Sequence, residues 1–143
     1  MRDVKTSRRR SREFAMQGLY QWQLAGHEVP AIVRQLSEAR GFEKCDAPYF
    51  ADLLSGAVRE AADTERALVP CLDRAFSRLT PVERGILLVA GYELRHHPEV
   101  PYRVVINEAV ELAKAYGGAD GHKYVNGVLD KLATAMRPQE ARS

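Results

Sequence analysis

The chain has 143 residues, a hydrophobic share of 45% and a formal net charge of +2. That length suits one domain with a sizeable core, and that hydrophobic share argues against wholesale disorder. No apolar run approaches the ~20 residues a membrane helix needs, and the basic start is not followed by the apolar segment of a secretory signal. Cys45 and Cys71 are the only cysteines. They lack metal or redox spacing and read as reduced thiols, so a cytoplasmic protein is expected.

The distribution of charge says more than its sum. Residues 1–12 carry Arg2, Lys5, Arg8, Arg9, Arg10 and Arg12 against Asp3 alone, a net +5. The remaining 131 residues hold 15 basic and 18 acidic side chains, a net −3. A basic end on a mildly acidic body fits an anionic partner bound at one place, and fits a solvated tail equally well.

In chain order, Thr6 or Ser7 is placed to cap a first helix beginning near Arg8. Ala15, Leu19 and Trp22, with Phe14 beside them, form its buried stripe, while Glu13, Gln17 and Tyr20 lie on another face. Arg8 and Arg12, four apart, extend a cationic strip from tail into helix. Gly26 and Pro30 mark the break to a second helix with Ile32, Leu36 and Ala39 inside and Gly41 ending it. Asp46 and Pro48 open a third, whose stripe is Phe50, Leu53, Leu54, Ala57, Val58 and Ala61. Leu68, Leu72 and Phe76 indicate a fourth from about Thr64, which Pro70 kinks or starts.

Thr80-Pro81-Val82-Glu83 is a strong helix start, with a cap, a first-turn proline and a glutamate three after the cap. The fifth helix buries Val82, Ile86, Val89, Ala90 and Leu94 and ends before His96-His97-Pro98. Pro101 and Tyr102 open the sixth, with Val105, Ala109, Leu112, Ala113 and Tyr116 on its buried stripe. Gly117-Gly118 stops it through a left-handed backbone, and Asp120 caps a seventh helix with Val125, Val128, Leu129 and Leu132 inside. Beyond Arg137-Pro138 the tail is polar and expected to fray. No segment alternates with period two. About seven helices on short links predict an all-α protein, with a mid-chain division near Leu79 between two helical halves.

No catalytic constellation appears. Adjacent histidines such as His96-His97 point in different directions, and no Cys or carboxylate completes a ligand set, so a solvated helix end is expected. His122 beside Lys123 reads as a surface or capping residue. Gly117, Gly118 and Gly121 resemble a phosphate-holding turn but match neither the P-loop nor the dinucleotide pattern. No enzyme activity, cofactor or metal is expected. RNA binding fares better. Single-stranded RNA readers combine a cationic track with rings that meet splayed bases. Arg8, Arg9, Arg10 and Arg12 offer the track, and Tyr124, off the stripe of the last helix, offers a ring or a peripheral core aromatic.

Four blocks in order resemble the NusB family of bacterial transcription antitermination factors: RRRSREFAMQGLYQWQL, YFADLLSGAV, PVERGILLVAGYEL and VPYRVVINEAVELAKAYGGADGHKYVNGVLDKL. The resemblance spans nearly the whole chain. It implies an all-α fold of two packed three-helix-type subdomains in a single NusB-like unit over 1–143. Here these are an N-terminal half about 8–79, a C-terminal half about 80–136 and a basic arm 1–12. It also implies binding of boxA-type single-stranded RNA in ribosomal RNA leaders together with NusE, a small-subunit ribosomal protein, in a complex on RNA polymerase that suppresses termination. By motif, Arg8, Arg9, Arg10 and Arg12 resemble the RNA-binding arm, with Asp120, Lys123 and Tyr124 of the GADGHKY turn completing that surface. Tyr20 and Glu83 resemble positions that face NusE. Many relatives carry Phe where this chain has Tyr124, which keeps the ring and adds a hydroxyl. The rival reading is the NusB-like accessory domain of ribosomal RNA cytosine methyltransferases. It needs a catalytic domain with a cofactor-binding sheet and a cysteine nucleophile, which these 143 residues do not hold. A homodimer that hides the NusE face is a third reading, decided by sedimentation rather than by sequence.

Overall fold

A computed structural model describes residues 3–141; Arg2 of the basic stretch lies outside them. Among the described residues there are eight α-helices and no strand. They are α1 (Val4–Ala25), α2 (Val29–Ser37), α3 (Ala47–Arg59), α4 (Ala61–Leu68), α5 (Pro81–His96), α6 (Tyr102–Tyr116), α7 (Gly121–Met136) and α8 (Pro138–Ala141). Three single 3-10 turns, Phe42–Lys44, Val69–Cys71 and Phe76–Arg78, join them. No described helix is long and apolar enough to cross a membrane.

Local chemistry sets most of the boundaries. α1 starts at Val4 rather than near Arg8, because Asp3 caps it: its carboxylate accepts from the Lys5 N–H at 3.3 Å and the Thr6 hydroxyl at 3.2 Å. The described arginines of the basic stretch therefore ride on a helix, not on a tail. Asp46 accepts from the Tyr49 N–H to start α3. At α5 the capping box is complete, with Glu83 N–H donating to Thr80 Oγ1 at 3.1 Å and Thr80 N–H to Glu83 Oε1 at 2.9 Å. Pro70 neither kinks nor starts α4. It follows the helix end, inside the 3-10 turn. α2 closes at Ser37, and Gly41 makes a separate left-handed turn (φ 87°).

The end of α6 differs from expectation in mechanism. Gly117 is extended (φ −91°, ψ 179°), not left-handed. Glycine is needed because a Cβ there would lie 2.7 Å from the Ala113 carbonyl oxygen. Tyr116 leaves the buried stripe and is 44% exposed.

α5 is buried nearly all round, from Gly85 to Leu94. One side (Ile86, Leu87, Ala90, Leu94) joins a core with α6 and α7, and the other (Leu88, Val89, Tyr92) joins a core with α1, α2 and α3. The Tyr92 ring lies on Gly56 of α3 so closely that any side chain at Gly56 would meet it at 2.1 Å. A helix buried on nearly every face is the consequence of serving two cores at once.

The expectation of a loose tail fails. The tail is docked: Arg137 donates to the carbonyls of Leu94, Val100 and His97 at 2.9, 2.5 and 2.9 Å, and Glu140 accepts the Tyr102 N–H at 2.6 Å. These contacts satisfy open carbonyls at the end of α5 and in the turn after it, and an orphan amide at the start of α6. The histidines at the end of α5 do reach solvent, His96 more than His97, but both are paired. His96 pairs with Glu60 at 2.7 Å, and His97 sits between Asp52 (2.6 Å) and Glu99 (2.9 Å).

Candidate RNA and partner interface

α1 carries the four arginines at positions 8, 9, 10 and 12, and the structure gives each a different environment. Arg12 points inward and is 5% exposed. Its Nε and Nη2 donate to Glu93 of α5 at 2.9 and 2.6 Å, Tyr49 of α3 donates to the same carboxylate at 2.5 Å, and Glu108 of α6 lies 3.6 Å away. Burial works against the Arg12 charge, but the hydrogen bonds and attraction of Glu93 outweigh it and raise its pKa. Burial, reinforced by the Glu93 carboxylate, pushes the Tyr49 hydroxyl up. The cationic strip expected from Arg8 and Arg12 is therefore not a surface feature. Arg12 ties four helices together.

Arg8 is half-buried, its guanidinium 4.2 Å from the centre of the Tyr49 ring. Arg9 is exposed but held in a two-point contact by Glu108 at 3.0 and 2.8 Å. That hydrogen bonding raises its pKa further. Arg10, 45% exposed at its side chain, pairs loosely with Glu13 at 3.7 Å. Of the four arginines, Arg9 and Arg10 are the accessible ones, with Arg8 at their edge.

The GADGHKY turn follows the end of α6 and leads into α7. Asp120 takes the N-cap position of α7 but makes no side-chain cap bond; it pairs with Lys123 at 3.7 Å, both exposed. Tyr124 is half-buried at the rim of the α6–α7 core. Tyr116 joins the two regions: its hydroxyl donates to Glu13 at 2.5 Å, and it is the last residue of α6 before the turn. The hydrogen bond to Glu13 raises the Tyr116 pKa. Sequence reasoning missed this link by placing Tyr116 in the core. Its position beside a double glycine at a helix end was the available signal.

The second face runs along the other side of Tyr116. Tyr20 is 42% exposed and lines an open groove of about 500 Å³ with Met16, Gln17, Gln21, Val82 and Tyr116. Glu83 follows Val82, so the two candidate partner residues flank the same crossing of α1 and α5. Glu83 is also close to the turn, since a Cβ on Gly121 would lie 3.4 Å from Glu83 Oε2. Its carboxylate thus sits beside the N-terminus of α7 as well as capping α5, which the helix dipole favours.

Comparison with known proteins places this surface in a family. The NusB family model matches residues 9–134. The chain is 54% identical over 140 residues to the transcription antitermination protein NusB of Paraburkholderia phytofirmans, covering 98% of this chain and 97% of that protein. It is 58% identical over 129 residues to that of Nitrosospira multiformis, covering 90% and 82%. Among solved structures, T. maritima NusB superposes with a TM-score of 0.83 at 27% identity over 99% of both chains. A chain from the complex of antitermination factors NusB and NusE with dsRNA superposes with a TM-score of 0.80 at 26% identity, over 90% of this chain and 97% of that one. Matched along nearly its full length in sequence and in fold, the chain belongs to the NusB family.

Proposed function

We propose that this protein is a non-catalytic adaptor that binds boxA-type single-stranded RNA of ribosomal RNA leaders together with NusE and joins the antitermination complex on RNA polymerase in the cytoplasm. One observation carries the reading. Tyr116, just before the GADGHKY turn, bonds Glu13 on the arginine-bearing helix α1, and the same tyrosine lines a groove with Tyr20 and Val82, the neighbour of Glu83. RNA and a protein partner then share one edge of the molecule. The RNA surface consists of Arg8, Arg9, Arg10, Asp120, Lys123 and Tyr124, with Arg12 positioning α1 from below. The NusE surface holds Tyr20 and Glu83. The single unit over 1–143 comprises halves of about 8–79 and 80–136, with α5 of the second packed against the first, and the described part of its basic segment 1–12 is mainly helical.

The methyltransferase-accessory reading receives no support from the relatives, which are named antitermination proteins along their matched length. Size-exclusion chromatography with NusE and boxA-like RNA tests the proposal. The three components should co-elute, and NusE and RNA together should be retained more strongly than either alone. Elution of all three as separate species would contradict it.

A further inference from the structure

Between Cys71 and Phe76 the chain crosses the start of α7 in a short linker. Leu72 and Phe76 pack into the core at either end of it, so the residues between them are held outward. There Arg74 lies over the Tyr124 ring, its guanidinium carbon 4.4 Å from the ring centre. Asp73 fixes the arrangement twice. Its carboxylate accepts from Arg74 Nε at 2.7 Å, and its backbone N–H donates to the Tyr124 hydroxyl at 3.4 Å. Tyr124 is thus a ring whose outer face is already covered by a flat cation.

We infer that Arg74 is the RNA-stacking plate of this edge and that Tyr124 is its support. The inference deepens the RNA-binding reading above and rests on it. Arginine is suited to the role because its planar guanidinium stacks on a ring on one side and on a base on the other. Unlike Arg12 it is not consumed inside the protein, since its side chain is 47% exposed and its carboxylate partner is the adjacent, exposed Asp73. This end carries no excess of positive charge, with Arg74 and Lys123 against Asp73, Asp120 and, from α5, Glu83. The site therefore has little to offer a phosphate chain as such and most to offer a base, through stacking and through the remaining guanidinium N–H groups. Phosphate attraction belongs to Arg9 and Arg10 at the other end, which divides the surface into a backbone-holding part and a base-meeting part.

The test uses the full chain and a set of boxA-like single-stranded RNAs carrying 2-aminopurine at one position each, whose fluorescence is quenched by stacking. Wild-type protein should quench one or two positions. Arg74→Ala should abolish that quench and weaken binding about tenfold, the size of one stacking interaction. Arg74→Lys should behave like Arg74→Ala, because it keeps the charge and loses the plate. Tyr124→Leu should lose the same quench, since it removes the support. Arg74 is exposed, so circular dichroism should show both variants at that position folded. Wild-type affinity and quench in Arg74→Ala would overturn the inference, as would full retention by Arg74→Lys, which marks a phosphate contact. Wild-type protein that fails to bind these RNAs would overturn the underlying RNA reading as well, so the two failures are distinct.

Discussion

Arg12 of α1 and Glu93 of α5 form a two-point ion pair inside the protein, with side chains only 6% and 1% exposed. Such a pair adds little net stability over an apolar replacement, but losing one partner strands the other charge. Arg12→Ala should therefore destabilise the fold by about 3–5 kcal/mol, a large share of the roughly 5–15 kcal/mol of a typical domain. Urea unfolding measures it. Arg12→Met with Glu93→Gln should recover part of the loss, because a neutral amide still accepts from Tyr49. Equal unfolding midpoints for wild type and Arg12→Ala would contradict the pairing.

The exposed arginines behave differently. Replacing Arg8, Arg9 and Arg10 with Ala should weaken RNA binding and flatten the slope of log affinity on log salt by about 0.7 for each phosphate no longer neutralised. Arg9 releases Glu108 when it goes, so Glu108→Gln alone is the matched control. An unchanged slope in the triple variant would place this segment outside the RNA interface.

Glu83 caps α5 and lies beside the start of α7, so a charge reversal there disturbs two helices. Glu83→Gln keeps the capping geometry and removes the charge. It should weaken NusE binding while the isolated protein keeps its helicity and its RNA affinity. Glu83→Lys should weaken NusE binding further and also lower stability, by about 1 kcal/mol for the lost cap. RNA binding that falls more than NusE binding in Glu83→Gln would remove this residue from the partner face.

His97 couples α3 to the turn before α6 through Asp52 and Glu99, with the Tyr49 and Tyr92 rings against it. Burial lowers its pKa, but hydrogen bonds to the two carboxylates overcome that and raise it above its ordinary 6.5. The protonated form is thus favoured in the folded state. Its stabilisation is fully present below about pH 6.5 and is lost as pH rises through the raised folded value. His97→Gln should lower the Tm at about pH 6 and make little difference at about pH 9. A difference that grows with pH would contradict the sign.

The fold was legible because its signals are local. The Thr80–Glu83 capping box, Asp46-Pro48 and the apolar stripes of α3 and α7 each specify their element without help from the rest of the chain. What was missed depends on tertiary partners. Nothing near Arg12 in sequence announces Glu93, 81 residues away, so a surface strip and a buried tie look alike. Arg137 reads as part of a polar tail until the open carbonyls at the end of α5 are brought to it. Arg74 was overlooked because its meaning comes from Tyr124, 50 positions later. Tyr20 was legible as off the α1 stripe, whereas Tyr116 could be told from core only once α1 brought Glu13 to it.

The most direct measurement is a fluorescence-anisotropy titration of labelled boxA-like RNA, a scrambled single strand and a duplex of the same sequence, each with and without NusE. The adaptor account predicts that the boxA-like single strand binds most tightly and that NusE strengthens that binding above the others. Equal affinity for all three RNAs, unaltered by NusE, would leave only non-specific charge attraction and contradict it.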